Sequence, residues 1–235
     1  MKTTLFSLFL IVILSSCSKN IDYSPEYMAQ TSGRYLYSQD ELIEIYYNDK
    51  KLFLKWRGAD NVRPVILDEE TFFVPDMYKK FRFVQHPETQ KRYLSILSEN
   101  PNDPITYDYL KVDDTFKTPS MYLKTNEYDK ALAGYLEIQK QDSTSVLLDE
   151  REFNSLGYEF LRKKEYQNAI NVFKINVALY PESDNTYDSL ADAYLHQGDS
   201  LQAFVNYSKA LEYNNSNRRA KKFVEVYKKK TKKTD

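Results

Sequence analysis

The sequence predicts an α+β protein of two domains, a small antiparallel β-barrel or sandwich followed by an α-helical repeat stack with a terminal capping helix. One observation behind this is a series of short β-type segments between residues 27 and 115. Another is an apolar pattern that recurs at a spacing of 34 residues between Phe153 and Tyr213. In addition, a short apolar run at the N-terminus leads to the single cysteine of the chain, Cys17. These features divide the chain into an export segment, a β domain and a helical domain.

Residues 1–16 have the layout of a secretory signal peptide, with a positively charged start and an apolar run of ten residues that is too short to span a bilayer. The segment Leu14-Ser15-Ser16-Cys17 resembles the bacterial lipobox, in which cleavage precedes the cysteine and the cysteine receives lipid. This resemblance implies lipid on Cys17, a tether over residues 17–26, and an exported protein anchored to a bacterial envelope membrane. By the same resemblance, Ser18 after the cysteine favours the outer membrane, on its periplasmic side. The alternative is an ordinary signal peptide with an incidental cysteine.

The segment 27–115 is predicted to contain short strands at regular intervals, which is typical of a small barrel or sandwich. Asn48-Asp49-Lys50-Lys51 predicts a hairpin turn between two apolar segments. Ile43, Ile45 and Tyr47 alternate with Glu44 and Tyr46, so one face of that strand is expected in the core. The predicted strands cover residues 33–37, 42–47, 52–56, 62–67, 71–74, 79–84, 92–97 and 105–112.

Residues 151–216 contain two copies of one helix-pair pattern. Apolar residues at helical spacing form one face in each copy, and turns are expected at 163–165 and 197–199. The pattern resembles the tetratricopeptide repeat, a pair of helices that stacks on its neighbours. The matched positions are Phe153/Tyr187, Leu156/Leu190, Gly157/Ala191, Phe160/Tyr194, Ala169/Ala203 and Phe173/Tyr207.

The segments that flank these two copies are weaker versions of the pattern. Residues 116–150 contain a partial copy, shifted in phase by four residues, and are interpreted as a degenerate first repeat with linker helices. Residues 217–235 are predicted to form a capping helix and a basic tail, with Ala220, Phe223 and Val224 on its apolar face. The basic residues are expected either to be solvated or to contact anionic lipids or an acidic partner.

The β domain resembles a small β-barrel domain of unknown function that is appended to serine β-lactamase-like hydrolases of Bacteroidota-type bacteria. The similarity is carried by Gly33-x-Tyr35, Leu42-x-Ile-x-Ile, Lys51-Leu-Phe-Leu, Gly58 and Phe72-Phe-Val. The same hydrolases often carry C-terminal tetratricopeptide repeats with segments like Leu156-Gly-Tyr158 and Tyr187-Asp-Ser-Leu190. The resemblance therefore introduces an enzymatic alternative.

The chemistry of such a hydrolase requires a serine one helical turn before an activating lysine. The only such pair, Ser16 and Lys19, straddles the predicted cleavage site. Tyr46-Tyr-Asn48 imitates a second motif of these enzymes but lies where a strand enters a hairpin. His86 and His196 have no cysteine or histidine at metal-ligand spacing. We therefore expect no catalytic activity, no metal site and no cofactor.

The charge balance of 33 basic and 34 acidic residues gives no support for nucleic-acid binding. A binding function is expected on the repeats, where the first helix of each pair lines the inner face and can hold an extended protein or peptide partner. The alternatives are a solvated face without a ligand, an accessory subunit of a separately encoded envelope serine hydrolase or peptidase, and glycan binding by Tyr37, Tyr46 or Trp56. The oligomeric state is not predicted. The candidate partner-binding residues are Asn154, Tyr158, Arg162, Asn185, Asp188, Asp192 and His196.

Overall fold

The computed structural model describes residues 21–232, so the predicted signal peptide, Cys17 and the Ser16/Lys19 pair lie outside the described residues. The chain forms two compact units, the first ending at Phe116 and the second beginning at Lys117. The first is a curled antiparallel β-sheet with one helix, and the second is α-helical. Within residues 21–232, no helix has the length and apolar character needed to cross a membrane.

The β unit is one antiparallel sheet in the order β4-β3-β2-β1-β9-β8-β7-β6-β5, which decides between the predicted barrel and sandwich in favour of a single curled sheet. Helix α1, Pro25–Thr31, precedes the strands, and a 3-10 turn lies at Pro75–Met77. The strands are β1 Gly33–Ser38, β2 Glu41–Asn48, β3 Lys51–Trp56, β4 Ala59–Val62, β5 Val65–Ile66, β6 Thr71–Val74, β7 Lys79–Gln85, β8 Arg92–Leu97 and β9 Tyr109–Val112.

The connection between β4 and β5 explains why the sheet curls. These strands occupy its opposite edges, yet only Arg63 and Pro64 separate them in the chain. Three residue steps span at most about 11 Å, so the two edges must approach each other at this point. The sequence predicts one strand over 62–67, and Pro64 breaks that run because proline has no N–H for a ladder hydrogen bond.

The remaining strand pattern follows the predicted alternation. Ile43 and Ile45 of β2 are buried, and so are Phe81 and Phe83 of β7, while the residues between them are more exposed. The β2–β3 hairpin pairs Asn48 with Lys51 through two residues of positive φ, 47° and 59°, which is the left-handed conformation that a two-residue hairpin turn requires. The core therefore lies on the concave side of the sheet.

Two further differences from the predicted elements occur in this unit. Helix α1 begins inside the segment predicted as a tether, with Ser24 accepting a hydrogen bond from the amide of Tyr27, and Tyr23 is buried in the β core. The signal for this helix was the Ser24-Pro25-Glu26 start, a cap followed by proline and an acidic residue. Strand β9 is four residues shorter than predicted because residues 105–108 lie outside the ladder.

The second unit contains three helix pairs followed by a single helix. Each pair turns through a residue of positive φ at the equivalent position, namely Asn126, Lys164 and Gly198. The predicted degenerate segment is therefore a complete helix pair with a short first helix. The helices are α2 Pro119–Lys124, α3 Tyr128–Gln141, α4 Glu150–Arg162, α5 Tyr166–Leu179, α6 Asp184–Gln197, α7 Ser200–Tyr213 and α8 Arg218–Thr231.

The four-residue shift of phase in the first pair has a simple origin. The connection from α3 to α4 has eight residues, 142–149, whereas the connection from α5 to α6 has four, 180–183. Asp142 orders the longer connection, since its carboxylate accepts hydrogen bonds from the amide and hydroxyl of Thr144 at 2.9 and 2.7 Å. In the second connection the Ser183 side chain does not cap α6 and donates instead to Glu150.

Small residues allow the helices to pack closely, as the sequence predicts. A Cβ atom added to Gly157 would lie 2.3 Å from Cε1 of Phe173, which is fully buried on α5. In the next repeat Ala191, Ala203 and Tyr207 form a buried cluster with Ala220 and Val224 of α8. Helix α8 therefore covers the end of the stack, and the helical unit is a tetratricopeptide-like stack.

Candidate binding face on the first helices

The first helices of successive pairs lie side by side, and we call their shared surface the first-helix face. Helices α4 and α6 are joined by Ser189, whose hydroxyl donates to the side-chain oxygen of Asn154 at 2.6 Å. Helices α6 and α8 are joined by an ion pair of 3.1 Å between Asp192 and Arg219. The face comprises Asn154, Tyr158, Arg162, Asn185, Asp188, Ser189, Asp192, His196, Asn217 and Arg219.

Polar contacts between neighbouring helices hold the α4 side of the face. The Tyr158 hydroxyl donates to Asp192 at 3.4 Å, and its ring packs edge-on against Phe173 at a centroid distance of 5.3 Å. The side-chain amide of Asn185 donates to Glu150 at 2.9 Å, and Ser183 donates to the same carboxylate oxygen at 3.0 Å. Asn154 and Tyr158 are half-buried, so they present only part of their surface to a ligand.

The two predicted ligand-binding carboxylates are already occupied by partners from α8 and α7. Asp188 is 8% exposed, accepts a hydrogen bond from Asn217 at 2.9 Å, and forms an ion pair with Arg219. Asp192 accepts from the Tyr207 hydroxyl at 3.4 Å in addition to its contact with Arg219. Asp188 and Asp192, which the sequence predicts as partner-binding residues, therefore also hold the capping helix in this structure.

The electrostatics of this cluster stabilise its charged form. Burial alone would lower the pKa of Arg219, but its hydrogen bonds, first to Asp188 and then to Tyr158, outweigh burial and raise that pKa. Burial also raises the pKa of Tyr207, and the negative charge of Asp192 raises it further. Arg219 therefore remains charged and Tyr207 remains a donor throughout the accessible pH range. Two carboxylates against one guanidinium leave one net negative charge.

The exposed residues of the face lie at the ends of its helices. Arg162 is exposed in the last turn of α4, and His196 is exposed at the equivalent position of α6, 34 residues later. The His196 ring stacks on Tyr166 with a centroid distance of 6.2 Å and an interplanar angle of 18°. Asn185 is exposed as well, although its amide is used by Glu150. Arg162 and His196 therefore offer the most accessible donors.

Sequence reasoning missed Asn217 and Arg219, which were assigned only to the capping helix and the basic tail. Arg219 lies 34 residues after Asn185, and Asn217 lies 34 residues after Ser183. Extending the repeat period by one more unit would have placed both on the first-helix face. The caps Asp149 and Asn217 each accept a hydrogen bond from the first turn of their helices, as the period requires.

The aromatic residues considered for glycan binding do not form a common platform. Trp56 lies opposite Ile43 on the core side of the sheet, whereas Tyr46 lies on the other side of it. The Tyr46 ring stacks on Phe53 at 5.5 Å, and its hydroxyl donates to the carbonyl of Asp60 at 2.6 Å. Tyr37, 46% exposed, lies against Tyr109 at 4.6 Å.

The histidines are also accounted for by local contacts. His86 Nδ1 accepts hydrogen bonds from the amides of Glu88 and Thr89 at 3.2 and 3.3 Å, and its ring packs on Tyr107 at 4.6 Å. This histidine therefore organises the turn between β7 and β8. Across residues 21–232, no group of three histidine, cysteine, aspartate or glutamate side chains is arranged to hold a metal ion.

Comparison with known proteins places the chain beside tetratricopeptide structures at low identity. No family model and no curated protein matches it. The first tetratricopeptide domain of Spaghetti (RPAP3) bound to the HSP90 peptide SRMEEVD is 18% identical, with 48% of this chain and 86% of that chain covered and a TM-score of 0.34. MamA is 21% identical over 48% of this chain and 64% of that chain, with a TM-score of 0.34. The Arabidopsis OM64 domain is 17% identical over 47% and 88%, with a TM-score of 0.33. The repeat assignment therefore depends on the helix pairs of this chain itself.

Proposed function

We propose that this chain is a non-enzymatic, lipid-anchored envelope protein that binds or scaffolds a protein or peptide partner through its tetratricopeptide-like repeats. The observation that carries the proposal is the alignment of α4 and α6 with the capping helix α8, which present polar side chains at a spacing of 34 residues. Stacked helix pairs create extended inner surfaces of this kind, and such surfaces suit extended peptides.

The contacts of the first-helix face indicate how recognition would be divided among its residues. Asp188 and Asp192 form ion pairs with Arg219, so these residues fix the spacing of α6 and α8 and form a rigid polar part of the face. Arg162 and His196 are exposed and can donate to carbonyl or carboxylate groups of a partner. Because Asp188, Asp192 and Arg219 are fixed before binding, they lose little side-chain entropy when a partner binds, in contrast to the exposed Arg162 and His196.

The proposed anchor is the lipid on Cys17, which would keep the protein on the periplasmic side of the outer membrane. Its support is the short apolar run followed by Leu14-Ser15-Ser16-Cys17. A single acyl chain gives weak membrane binding, whereas the several chains of a mature bacterial lipoprotein give stable anchoring. The protein would then present its binding face in the periplasm.

The binding proposal is tested by replacing exposed residues whose loss does not disturb the fold. Arg162→Glu combined with His196→Glu should reduce recovery of the partner in pull-downs at least tenfold, since it replaces two donors with repelling carboxylates. Lys174→Glu, an exposed charge change on the second helix α5, is the matched control and should have no effect. Unchanged recovery with the double variant, with native circular dichroism, would exclude the first-helix face as the binding site.

The second candidate is an accessory subunit of a separately encoded envelope serine hydrolase or peptidase. It is favoured by the combination of a curled β-sheet and a repeat stack in one chain, which is the arrangement that the sequence resemblance associates with such hydrolases. A hydrolase that is encoded nearby, and that is recovered with the wild-type chain but not with the Arg162/His196 variant, would select this candidate over a general scaffold.

A further inference from the structure

A cavity of about 460 Å³ lies on the outer face of the β sheet, on the side opposite the apolar core of this unit. Its floor is the outer face of β6 and β7, and its walls are the segment before β6 and the loop after β8. Cavities of this size accommodate small organic ligands. The residues that matter for its chemistry are Leu67, Thr71, Lys80, Arg82, Leu97 and Ile105.

The wall of the cavity is an ordered loop. Thr106 and Ser95 are joined through their hydroxyls at 3.1 Å, and Ser95 is fully buried beneath the loop. The carboxylate of Asp108 accepts a hydrogen bond from the amide of Ile96 at 2.6 Å, which ties the end of the loop to β8. Because both ends of the loop are fixed to the sheet, the cavity is a built feature of the fold.

Two cations line the floor without an acidic partner. Lys80 and Arg82 are two residues apart on β7, so they lie on the same face of the strand. The Arg82 Nε donates to the hydroxyl of Thr71 at 3.0 Å, and Thr71 is only 3% exposed. Within residues 21–232, no carboxylate lies within ion-pairing distance of either cation. Arg82 is therefore oriented by a neutral partner and forms no ion pair.

Three acidic residues also line the cavity, and the contacts of two of them show how their charge is used. Asp68 accepts hydrogen bonds from the amides of Glu70 and Thr71 at 3.0 and 2.8 Å, so it serves its own turn. Asp103 accepts from Ser98 at 2.6 Å and from the side-chain amide of Asn100 at 2.9 Å. Glu99 is exposed on the loop. The carboxylates of Asp68 and Asp103 therefore hydrogen-bond within their own loops, and neither they nor Glu99 form an ion pair with Lys80 or Arg82.

We propose that this cavity binds a small amphipathic anion, in which a carboxylate, phosphate or sulfonate is carried by an apolar body. The anionic group pairs with Arg82 and Lys80, and the two terminal nitrogens of Arg82 can donate a bidentate pair of hydrogen bonds to it. The apolar body lies against Leu67, Leu97 and Ile105, of which Leu67 and Ile105 are 36% and 50% exposed in the absence of a ligand. Binding would cover these apolar surfaces and compensate both cations.

The test uses two dyes that share one skeleton and differ in a single charged group. Anilinonaphthalene sulfonate carries a sulfonate and N-phenylnaphthylamine does not, so their comparison isolates anion recognition. Fluorescence titrations use residues 17–235, which include every described residue. The wild-type chain should bind the sulfonate dye at least tenfold more tightly than the neutral dye. Arg82→Gln combined with Lys80→Gln should lower the affinity for the sulfonate dye at least tenfold and change the affinity for the neutral dye by less than twofold. Lys91→Gln, an exposed change in the β7–β8 turn, should leave both unchanged.

Three results would overturn the proposal. They are equal affinities for the two dyes, an unchanged sulfonate affinity in the double variant, and backbone amide shifts that lie outside residues 67–82 and 96–105 when the sulfonate dye binds. If the double variant fails to fold by near-ultraviolet circular dichroism, the wild-type chain still decides the question. Raising the salt concentration should then weaken binding of the sulfonate dye and not binding of the neutral dye, because salt screens the pairing of the sulfonate with the cations. Equal salt responses would contradict it.

Discussion

Replacing Gly157 with alanine tests whether the close approach of α4 and α5 sets the stability of the repeat stack. The added methyl group would lie 2.3, 2.5 and 2.8 Å from three carbons of the Phe173 ring, whereas ordinary carbon contacts are about 3.5–4 Å. The ring is fully buried, so it must displace its neighbours by more than about 1 Å. Overpacking of this kind costs up to about 3 kcal/mol. The gain from alanine in a helix is about 1 kcal/mol, which leaves a net loss of about 2 kcal/mol.

The assay is urea unfolding followed by two signals from the same sample. Circular dichroism at 222 nm reports the helical unit, and the fluorescence of Trp56, the only tryptophan, reports the β unit. The free energy of unfolding from the 222 nm signal should fall by about 2 kcal/mol, and the value from tryptophan fluorescence should not change. The double variant Gly157→Ala/Phe173→Leu should lose at least about 1 kcal/mol less unfolding free energy than the sum of the two single variants, since the two side chains are in contact. A Gly157→Ala variant as stable as the wild type would refute the packing argument.

Three further predictions concern the capping helix, the first helix pair and the anchor. In urea unfolding, Arg219→Ala should lower the unfolding free energy of the helical unit by about 1–3 kcal/mol, because it leaves Asp188 buried without its cation. The exposed Lys222→Ala should change that free energy by less than about 0.5 kcal/mol. Hydrogen bonds from Lys117, Lys130 and Thr125 lower the pKa of Glu127 to about 2 from its ordinary 4.5, so its stabilising contribution is present above about pH 4.5 and is lost as the pH falls towards 2. Glu127→Gln should reduce the change of the helical unit's melting temperature with pH over that range, and the exposed Glu225→Gln should not. Parallel curves of melting temperature against pH for wild type and Glu127→Gln would contradict this. Cys17→Ser should abolish metabolic labelling with an alkyne fatty acid and release the protein from envelope membranes, and persistent labelling would exclude Cys17 as the site.

The parts of the fold that were predictable from the sequence are those in which a period or a turn residue specifies the local structure. The spacing of 34 residues predicted the positions of α4 to α7, because each matched residue has the same neighbours in both units. Asn48-Asp49-Lys50-Lys51 predicted the hairpin, and the turn adopts the expected positive φ values. Burial at every second residue likewise predicted the orientations of β2 and β7.

The parts that were not predictable depend on contacts between distant segments. The run over 62–67 is apolar enough for one strand, and only the curl of the sheet shows that its two halves join opposite edges. Asp188 and Asp192 lie on the first-helix face, yet their pairing with Arg219 depends on α8 packing beside α6. Lys80 and Arg82 look like ordinary strand residues in the sequence, and only the structure shows that both line a cavity beside the loop after β8.

The most direct test of partner binding by the repeats is site-specific photo-crosslinking in envelope fractions. A photoreactive residue at position 162 or 196 of the first-helix face should give a discrete adduct that contains one partner, identified by mass spectrometry. The same residue at position 174 on α5 should give none, because that position lies outside the face. A partner adduct from position 174 with none from 162 or 196 would contradict the account, and so would identical adducts from all three positions.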